Sequence, residues 1–264
     1  MLESIKQIVI QAGELIRNAH ATAPNIIDKD GPANFVTTYD ILVQNFLFER
    51  LSELYPHAAF VGEENDTQPN IEKGYAFIID PIDGTNNFIA DLATSSISVA
   101  LTLDGIVQIG IVYNPFRGEL YWAERGKGAY LNGTPLYVQD RPLNSWLVCF
   151  DTSPYHPELH DATFLLARKV MAMGTDVRRL GSGATELCYL AADRFVLTYA
   201  FRQAPWDYAA AWLIAEEAGA IVTTMEGTSP SLHGPSSILA GNPTAHREFM
   251  TLMDTLKKEG LLSW

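Results

Sequence analysis

Cysteine is nearly absent: the 264 residues hold only Cys149 and Cys188. The two are far apart, sit in apolar surroundings and match neither a Cys-x-x-Cys pair nor a zinc spacing. A disulfide scaffold and a thiolate metal site are therefore excluded, and two buried reduced thiols are expected. Basic residues are scarce as well, with 18 Lys and Arg against 31 Asp and Glu, a formal charge of −13. Phosphate backbones need basic surface, so no nucleic acid is expected as a partner, and the same deficit argues against an anionic membrane. An acidic protein that handles phosphate needs cations in its site. No apolar run reaches membrane-spanning length. The first residues, Met1-Leu2-Glu3-Ser4-Ile5-Lys6, lack the apolar core of a signal peptide, which makes the cytoplasm the expected compartment. There is no internal repeat, no low-complexity stretch and no histidine obviously placed for catalysis. The length suits one large domain or two modest ones.

What the chain does have is concentrated between Tyr75 and Phe88: Tyr-Ala-Phe-Ile-Ile-Asp-Pro-Ile-Asp-Gly-Thr-Asn-Asn-Phe. Phe77, Ile78 and Ile79 read as a buried strand. Asp80 is expected at its C-terminal end, with Pro81 stopping the hydrogen-bond ladder because it has no N–H to give. The turn that follows brings Asp80 and Asp83 together. Two close carboxylates repel unless a cation lies between them, and hard oxygen donors suit Mg²⁺ better than zinc or copper. Gly84 allows close backbone approach. Thr85, Asn86 and Asn87 offer capping side chains for a helix, whose free N–H groups bind phosphate. A lone Asp-x-x-Asp would be read as a capped turn with two solvated acids. Asp-Pro-x-Asp-Gly-Thr is a different matter, since its five fixed residues match by chance in roughly one chain of this length in ten thousand.

On either side the pattern changes character. Helical spacing of Ile5, Ile8, Val9, Ala12 and Ile16 predicts a helix over 2–20, and a second fits 38–55, with Thr37, Thr38 and Asp40 crowding its start. Residues 21–33 read as a loop. Strands follow at 58–61, 96–103, 107–113, 119–123 and 129–131, with Asp104-Gly105 and Asn132-Gly133 as turns. The polar stretch 139–144 reads as a boundary between an N-terminal half, 1–140, and a C-terminal half, 141–264. Beyond it strands at 146–150, 177–180, 195–199, 220–224 and 237–240 alternate with helices at 159–173, 184–192, 208–218 and 244–258. The fold class is α/β (α+β), an antiparallel-rich half followed by a mixed α/β half.

Asp80-Pro81-Ile82-Asp83-Gly84-Thr85 resembles the signature of the inositol monophosphatase family of metal-dependent sugar phosphatases. Pro205-Trp206-Asp207-Tyr208-Ala209-Ala210-Ala211 resembles the second signature of that family, and Phe35-Val36-Thr37-Thr38-Tyr39-Asp40 extends the likeness to nearly the whole chain. The resemblance implies a layered αβαβα sandwich, a site between the halves and Mg²⁺, two or three ions per site, with Ca²⁺ or Mn²⁺ substituting or inhibiting. It implies metal ligands Glu63, Asp80, the Ile82 carbonyl, Asp83 and Asp207, and hydrolysis of a small phosphate ester by activated water. Thr85, hydrogen-bonded to Asp40, would position that water with Glu63, and Gly84 and Thr85 would hold the phosphate. Glu64 falls to an outer or structural role. Gly181-Ser182-Gly183 before a helix is an anion-cradle pattern and matches the turn that contacts substrate. Lys29 matches a loop lysine near the site. Homodimerisation and inhibition by Li⁺ are also implied.

The sequence departs from that family in one respect. Its inositol-binding members carry Glu seven residues before the second-metal Asp, and here that position is Ala200. Arg202, five residues before Asp207, is a candidate for binding a second phosphate instead. Inositol 1-phosphate is the leading substrate, with NADP (2′-phosphate), fructose 1,6-bisphosphate and 3′-phosphoadenosine 5′-phosphate as alternatives, and a non-catalytic metal-binding regulator as the rival of another class.

Overall fold

Helix α1 (Leu2–Ile16) buries Ile5, Ile8, Val9, Ala12 and Ile16 along one face, as its spacing predicts. The computed structural model describes residues 1–19, 26–28, 35–65 and 67–264. Within the predicted loop, β1 (Ile26–Asp28) pairs antiparallel with β2 (Phe35–Thr37). Lys29 lies outside the described residues. Helix α2 (Thr38–Leu54) starts from a capping box in which Thr37 caps the helix and Asp40 accepts the Thr37 N–H.

Seven strands then lie side by side in chain order: β3 (Ala59–Gly62), β4 (Tyr75–Asp83), β5 (Ser96–Leu103), β6 (Ile106–Asn114), β7 (Glu119–Glu124), β8 (Ala129–Leu131) and β9 (Thr134–Pro135). Only β3 and β4 run parallel. Both residues of Asp104-Gly105 and of Asn132-Gly133 have positive φ, the backbone that tight hairpin turns require. A short helix, α3 (Thr85–Ile89), follows β4. The second sheet has five strands in the order β11-β10-β12-β14-β13. These are β10 (Val148–Phe150), β11 (Val177–Arg178), β12 (Leu197–Gln203), β13 (Ile221–Thr223) and β14 (Ser236–Gly241), with α4 (His160–Ala172), α5 (Gly183–Ala191), α6 (Pro205–Glu217) and α7 (Pro243–Lys258) between and around them.

Alternation along β4 shows how the layers stack. Phe77 and Ile79 pack with Val43, Leu47 and the apolar face of α1. Ala76 and Ile78 point the other way, into a cluster with Leu187 of α5 and Ala210, Ala211 and Ile214 of α6. On the far side of the five-stranded sheet, Val148, Leu197 and Leu239 pack against Leu166 of α4 and Phe249 of α7. The order is α1/α2, large sheet, α5/α6, small sheet, α4/α7: an αβαβα sandwich of the mixed α/β class. Cys149 and Cys188 are free and buried within it.

Because α6 lies between two sheets, both of its sides must be apolar and thin. Its run of Ala209, Ala210 and Ala211, all fully buried, meets that demand. At the tightest point the backbone of β6 touches the backbone of α6, and a Cβ on Gly110 would run into the Ala210 carbonyl. Gly110→Ala is expected to cost roughly 2–3 kcal/mol by overpacking and to lower Tm by about 5–10 °C. A thermal melt checks this, and an unchanged Tm would mean that the layers can part without penalty.

Three sequence expectations need correction. The β4 ladder does not stop at Pro81; it runs on to Asp83 through an irregularity between Asp80 and Asp83, because a bulge tolerates a residue without an N–H. The predicted strand over 177–180 shortens to two residues. The strand predicted over 195–199 instead reaches Gln203, with its own irregularity between Ala200 and Gln203.

Candidate active site

The bulge in β4 sets the geometry of a cavity of about 160 Å³ lined by Glu63, Asp80, Asp83, Asp151 and Asp207. Asp80 keeps the parity of Ala76 and Ile78, so its side chain leaves β4 on the α5/α6 side. Its Oδ1 accepts the Ile82 N–H at 3.0 Å and closes the bulge. Ile82 drops into the α1/α2 cluster, which leaves its carbonyl 3.2 Å from the Thr85 hydroxyl. Asp83 then re-enters the ladder opposite Ser96.

Asp83 meets the start of α5. Its Oδ2 accepts from the Ser182 hydroxyl at 2.6 Å and the Ala184 N–H at 2.8 Å, and its Oδ1 accepts from the Gly183 N–H at 3.2 Å. The anion cradle read from Gly181-Ser182-Gly183 therefore holds one of the protein's own carboxylates. Ser182 is 1% exposed, and its hydroxyl positions Asp83 rather than facing the cavity. Gly181 does line the cavity.

Asp207 is the third residue of α6, not its cap: the helix begins at Pro205, and the Asp207 carboxylate accepts the Ala204 N–H at 2.8 Å. Glu63 follows β3 directly and is tied to β4 through its N–H to the Ile79 carbonyl. The expected side-chain cap of α3 is missing. Gly84 fills that position with φ +88°, and Asn87 instead donates to the Leu180 and Gly181 carbonyls. Only a glycine fits at 84, since a Cβ there would lie 2.9 Å from the Gly181 carbonyl oxygen.

Charge is the dominant feature. Burial pushes Asp80 well above the usual carboxylate range, and Glu63, Asp83 and Asp207 push it further. Asp207 is raised by burial and then by Asp83 and Glu63. Asp83 is raised only to about 6, since Ser182 and two N–H groups oppose its burial. Buried acids that raise their neighbours fit a hard cation between them. Among the described residues no three carboxylate, imidazole or thiol side chains already stand at metal-holding spacing. The fit rests on donor chemistry: Glu63, Asp80, Asp83 and Asp207 all offer carboxylate oxygens.

Asp40 stands behind this group. Its Oδ2 accepts the Thr37 N–H and hydroxyl, at 2.7 and 2.6 Å, and its Oδ1 lies 3.2 Å from the Thr85 hydroxyl. Burial raises it to about 6, so at neutral pH it accepts. A hydroxyl has one proton to give. Whether that proton goes to Asp40 or to the Ile82 carbonyl, each 3.2 Å away, the lone pairs of Thr85 are left for a donor in the cavity.

The family model for the inositol monophosphatases matches residues 1–258. The chain belongs to the inositol monophosphatase family. It is 33% identical over 260 residues to an inositol-1-monophosphatase of Mesorhizobium japonicum, covering 98% of this chain and 96% of the relative. It is 30% identical over 266 residues to the Nus factor SuhB of Escherichia coli, covering 98% and 99%. Among solved structures, the extragenic suppressor protein suhB of Bartonella henselae matches with a TM-score of 0.87 and 30% identity, covering 94% of this chain and 96% of that one.

Against this family background, sequence reasoning misjudged one wall of the site. Ala200 is 2% exposed within β12. Arg202 is exposed and does not line the cavity; its carbonyl accepts from Ser153. Arg179, Asp151, Tyr155 and Gln203 line that wall instead. They went unread because none belongs to a motif and their meeting depends on loop geometry. Glu186 was missed too. It is buried, raised to about 8 by burial and by Asp151, and accepts the Leu180 and Gly181 N–H groups, each at 3.0 Å, which fixes the turn that supports Gly181.

Proposed function

We propose that this chain is a Mg²⁺-dependent phosphomonoesterase that hydrolyses a small phosphorylated metabolite, with inositol 1-phosphate as the first candidate. The observation that carries this reading is the convergence of Glu63, Asp80, Asp83 and Asp207 on one cavity beside the Gly84–Thr85 backbone. Glu63, Asp80 and the Ile82 carbonyl would hold one cation, and Asp80, Asp83 and Asp207 a second. When bound, such ions lower the pKa of water and neutralise charge on phosphoryl oxygens.

The chain's own groups supply the rest. The Gly84 and Thr85 N–H groups bind the phosphoryl oxygens. Thr85, its proton committed to Asp40 or to the Ile82 carbonyl, accepts a hydrogen bond from the attacking water and, with Glu63, orients it in line with the ester bond. The site lies between the half that ends near 140 and the half that begins near 141. The reading includes a cytoplasmic homodimer whose partner is a small molecule rather than nucleic acid or membrane. No membrane-spanning helix is present among the described residues, and the acidic composition opposes polyanion binding. Relatives named Nus factors supply the rival, a regulatory protein that does not turn over substrate.

One assay decides between the two. Inositol 1-phosphate, fructose 1,6-bisphosphate, 3′-phosphoadenosine 5′-phosphate and NADP are offered at equal concentration with Mg²⁺. Phosphate release that chelator abolishes and Mg²⁺ restores is expected. Undiminished turnover in excess chelator would falsify the cation mechanism, and no turnover on any ester would favour the regulator.

A further inference from the structure

Two adjacent residues between β11 and α5 have all of their backbone polar groups taken by side chains. Glu186 of α5 accepts the Leu180 and Gly181 N–H groups through one oxygen, each at 3.0 Å. From the other side, Asn87 of α3 donates through its amide nitrogen to the Leu180 and Gly181 carbonyls, at 2.7 and 3.2 Å. Both side chains are deep in the protein, Glu186 at 2% exposure and Asn87 at 6%. Backbone N–H and C=O groups demand partners, so the turn is held where both side chains reach it.

What this turn touches is the site. Gly181 backs Gly84 so closely that a Cβ on Gly84 would meet the Gly181 carbonyl oxygen and the Ser182 Cβ. The residues that follow the turn, Ser182, Gly183 and Ala184, hold the Asp83 carboxylate. Asn87 belongs to the same short helix as Thr85, and Glu186 to the helix whose start receives Asp83. The turn therefore ties α3 to α5, with one side chain from each helix fixing it. The Asn87 amide nitrogen is committed to the two carbonyls, and Glu186 does not line the cavity, so it acts only through the turn.

We propose that Glu186 and Asn87 are positioning residues: by clamping the Leu180–Gly181 turn they set the spacing between the Gly84–Thr85 backbone and the Asp83 carboxylate. This inference rests on the phosphatase reading above, in which the first meets the phosphoryl group and the second a cation. The role needs a hydrogen-bond acceptor, not a charge. Burial first, and then Asp151, raises Glu186 to about 8, with Asp83 adding to the rise and the two N–H groups opposing it. The Cys149 thiol faces it as well. At neutral pH the side chain is thus a neutral acid, with one oxygen to accept and an O–H to give. Glutamine offers the same two functions at nearly the same size.

Three measurements on the full-length protein test this: amide exchange at Gly183 and Ala184 without metal, Mg²⁺ binding by calorimetry, and kcat on the best ester of the panel above. Glu186→Leu keeps the bulk but accepts nothing. It is expected to speed exchange at both amides by about tenfold. Mg²⁺ affinity and kcat should fall by roughly ten- to a hundredfold, the scale of losing a group that orients a ligand from behind. Glu186→Gln should match wild type in all three. Asn87→Ala releases the carbonyl side instead and should repeat the pattern with Glu186 intact, which keeps the proposal open to refutation if Glu186→Leu does not fold. Faster exchange with unchanged Mg²⁺ affinity and kcat would reduce the clamp to a structural brace and overturn the proposal, as would unchanged exchange in the folded variants. Losses in Glu186→Gln equal to those in Glu186→Leu would show that charge is what matters, and would overturn it too. If wild type neither binds Mg²⁺ nor hydrolyses any ester, the phosphatase reading fails by itself. Exchange then decides the clamp: faster in Glu186→Leu or Asn87→Ala supports it, and unchanged removes it.

Discussion

Asp207→Asn is expected to cut turnover by roughly two to three orders of magnitude while leaving the fold intact. The two roles of this residue separate cleanly. Its structural role is to accept the Ala204 N–H at the start of α6, and an asparagine oxygen accepts the same bond. Its chemical role depends on charge, which asparagine lacks. Removing that charge also relieves repulsion, because Asp207 raises Asp80 and is itself raised, after burial, by Asp83. In excess chelator the variant should therefore melt at or above the wild-type temperature, the pattern of a site that trades stability for function. Calorimetric melting beside phosphate-release kinetics reads both effects. A variant that unfolds would reduce Asp207 to its structural bond with the Ala204 N–H, and one that keeps turnover would remove it from the chemistry.

In the same chelated buffer, stability should fall as pH rises from about 5 to 7.5, the reverse of the behaviour of a protein held by salt-bridged acids. Asp40 and Asp83 are raised from the usual 3.8 to about 6, in both cases by burial first, and Asp80 and Asp207 are raised as well. A carboxyl whose folded pKa exceeds its unfolded value binds its proton more tightly in the native state. Its contribution is fully present below the unfolded pKa and is lost as pH climbs through the folded one. Moving one such group from 3.8 to about 6 is worth roughly 3 kcal/mol below the unfolded pKa, and roughly half of that is left at pH 5, so Asp40 and Asp83 together lose roughly 3 kcal/mol and a Tm decrease of about 5–10 °C across this window is expected. Mg²⁺ should flatten or invert the slope, since cations bind the deprotonated carboxylates. Glu119 works the other way: Arg194 holds its pKa down, so its contribution is lost only as pH falls, which sets the acid limb. Melting curves over pH with and without Mg²⁺ test the sign. A rising Tm in chelator between pH 5 and 7.5 would mean that the acids are not buried together.

Much of this was legible in the chain. Strand periodicity, the two hairpin pairs and the helix of alanines each report a local preference that the tertiary structure then uses. Asp80 and Asp83 stood out because a short motif places them at the end of an apolar run, whereas Glu63 and Asp207 were reached only through the family resemblance. The errors share a cause. Pro81 was judged by ladder rules and the strand over 195–199 was ended before Ala200, and both points lie where β4 and β12 depart from regular pairing. Ser182 was given to a ligand because the sequence cannot show that Asp83, 99 positions earlier, already occupies its hydroxyl. Arg202 was singled out for its nearness to Asp207 along the chain, whereas in the fold it is exposed and Arg179 lines the cavity.

Strand β4 has a further consequence, in how the molecule opens. It is flanked on both sides, by β3 and β5, and Asp80 and Asp83 are 1% and 6% exposed. Backbone amides in such a position exchange with solvent only when the sheet comes apart. The segment after β10, where Ser153 has φ +45° and Tyr155 is 41% exposed, lies outside that sheet. Substitutions at Asp80 or Asp83 are therefore expected to be felt throughout the large sheet, and substitutions at Tyr155 at little cost to folding.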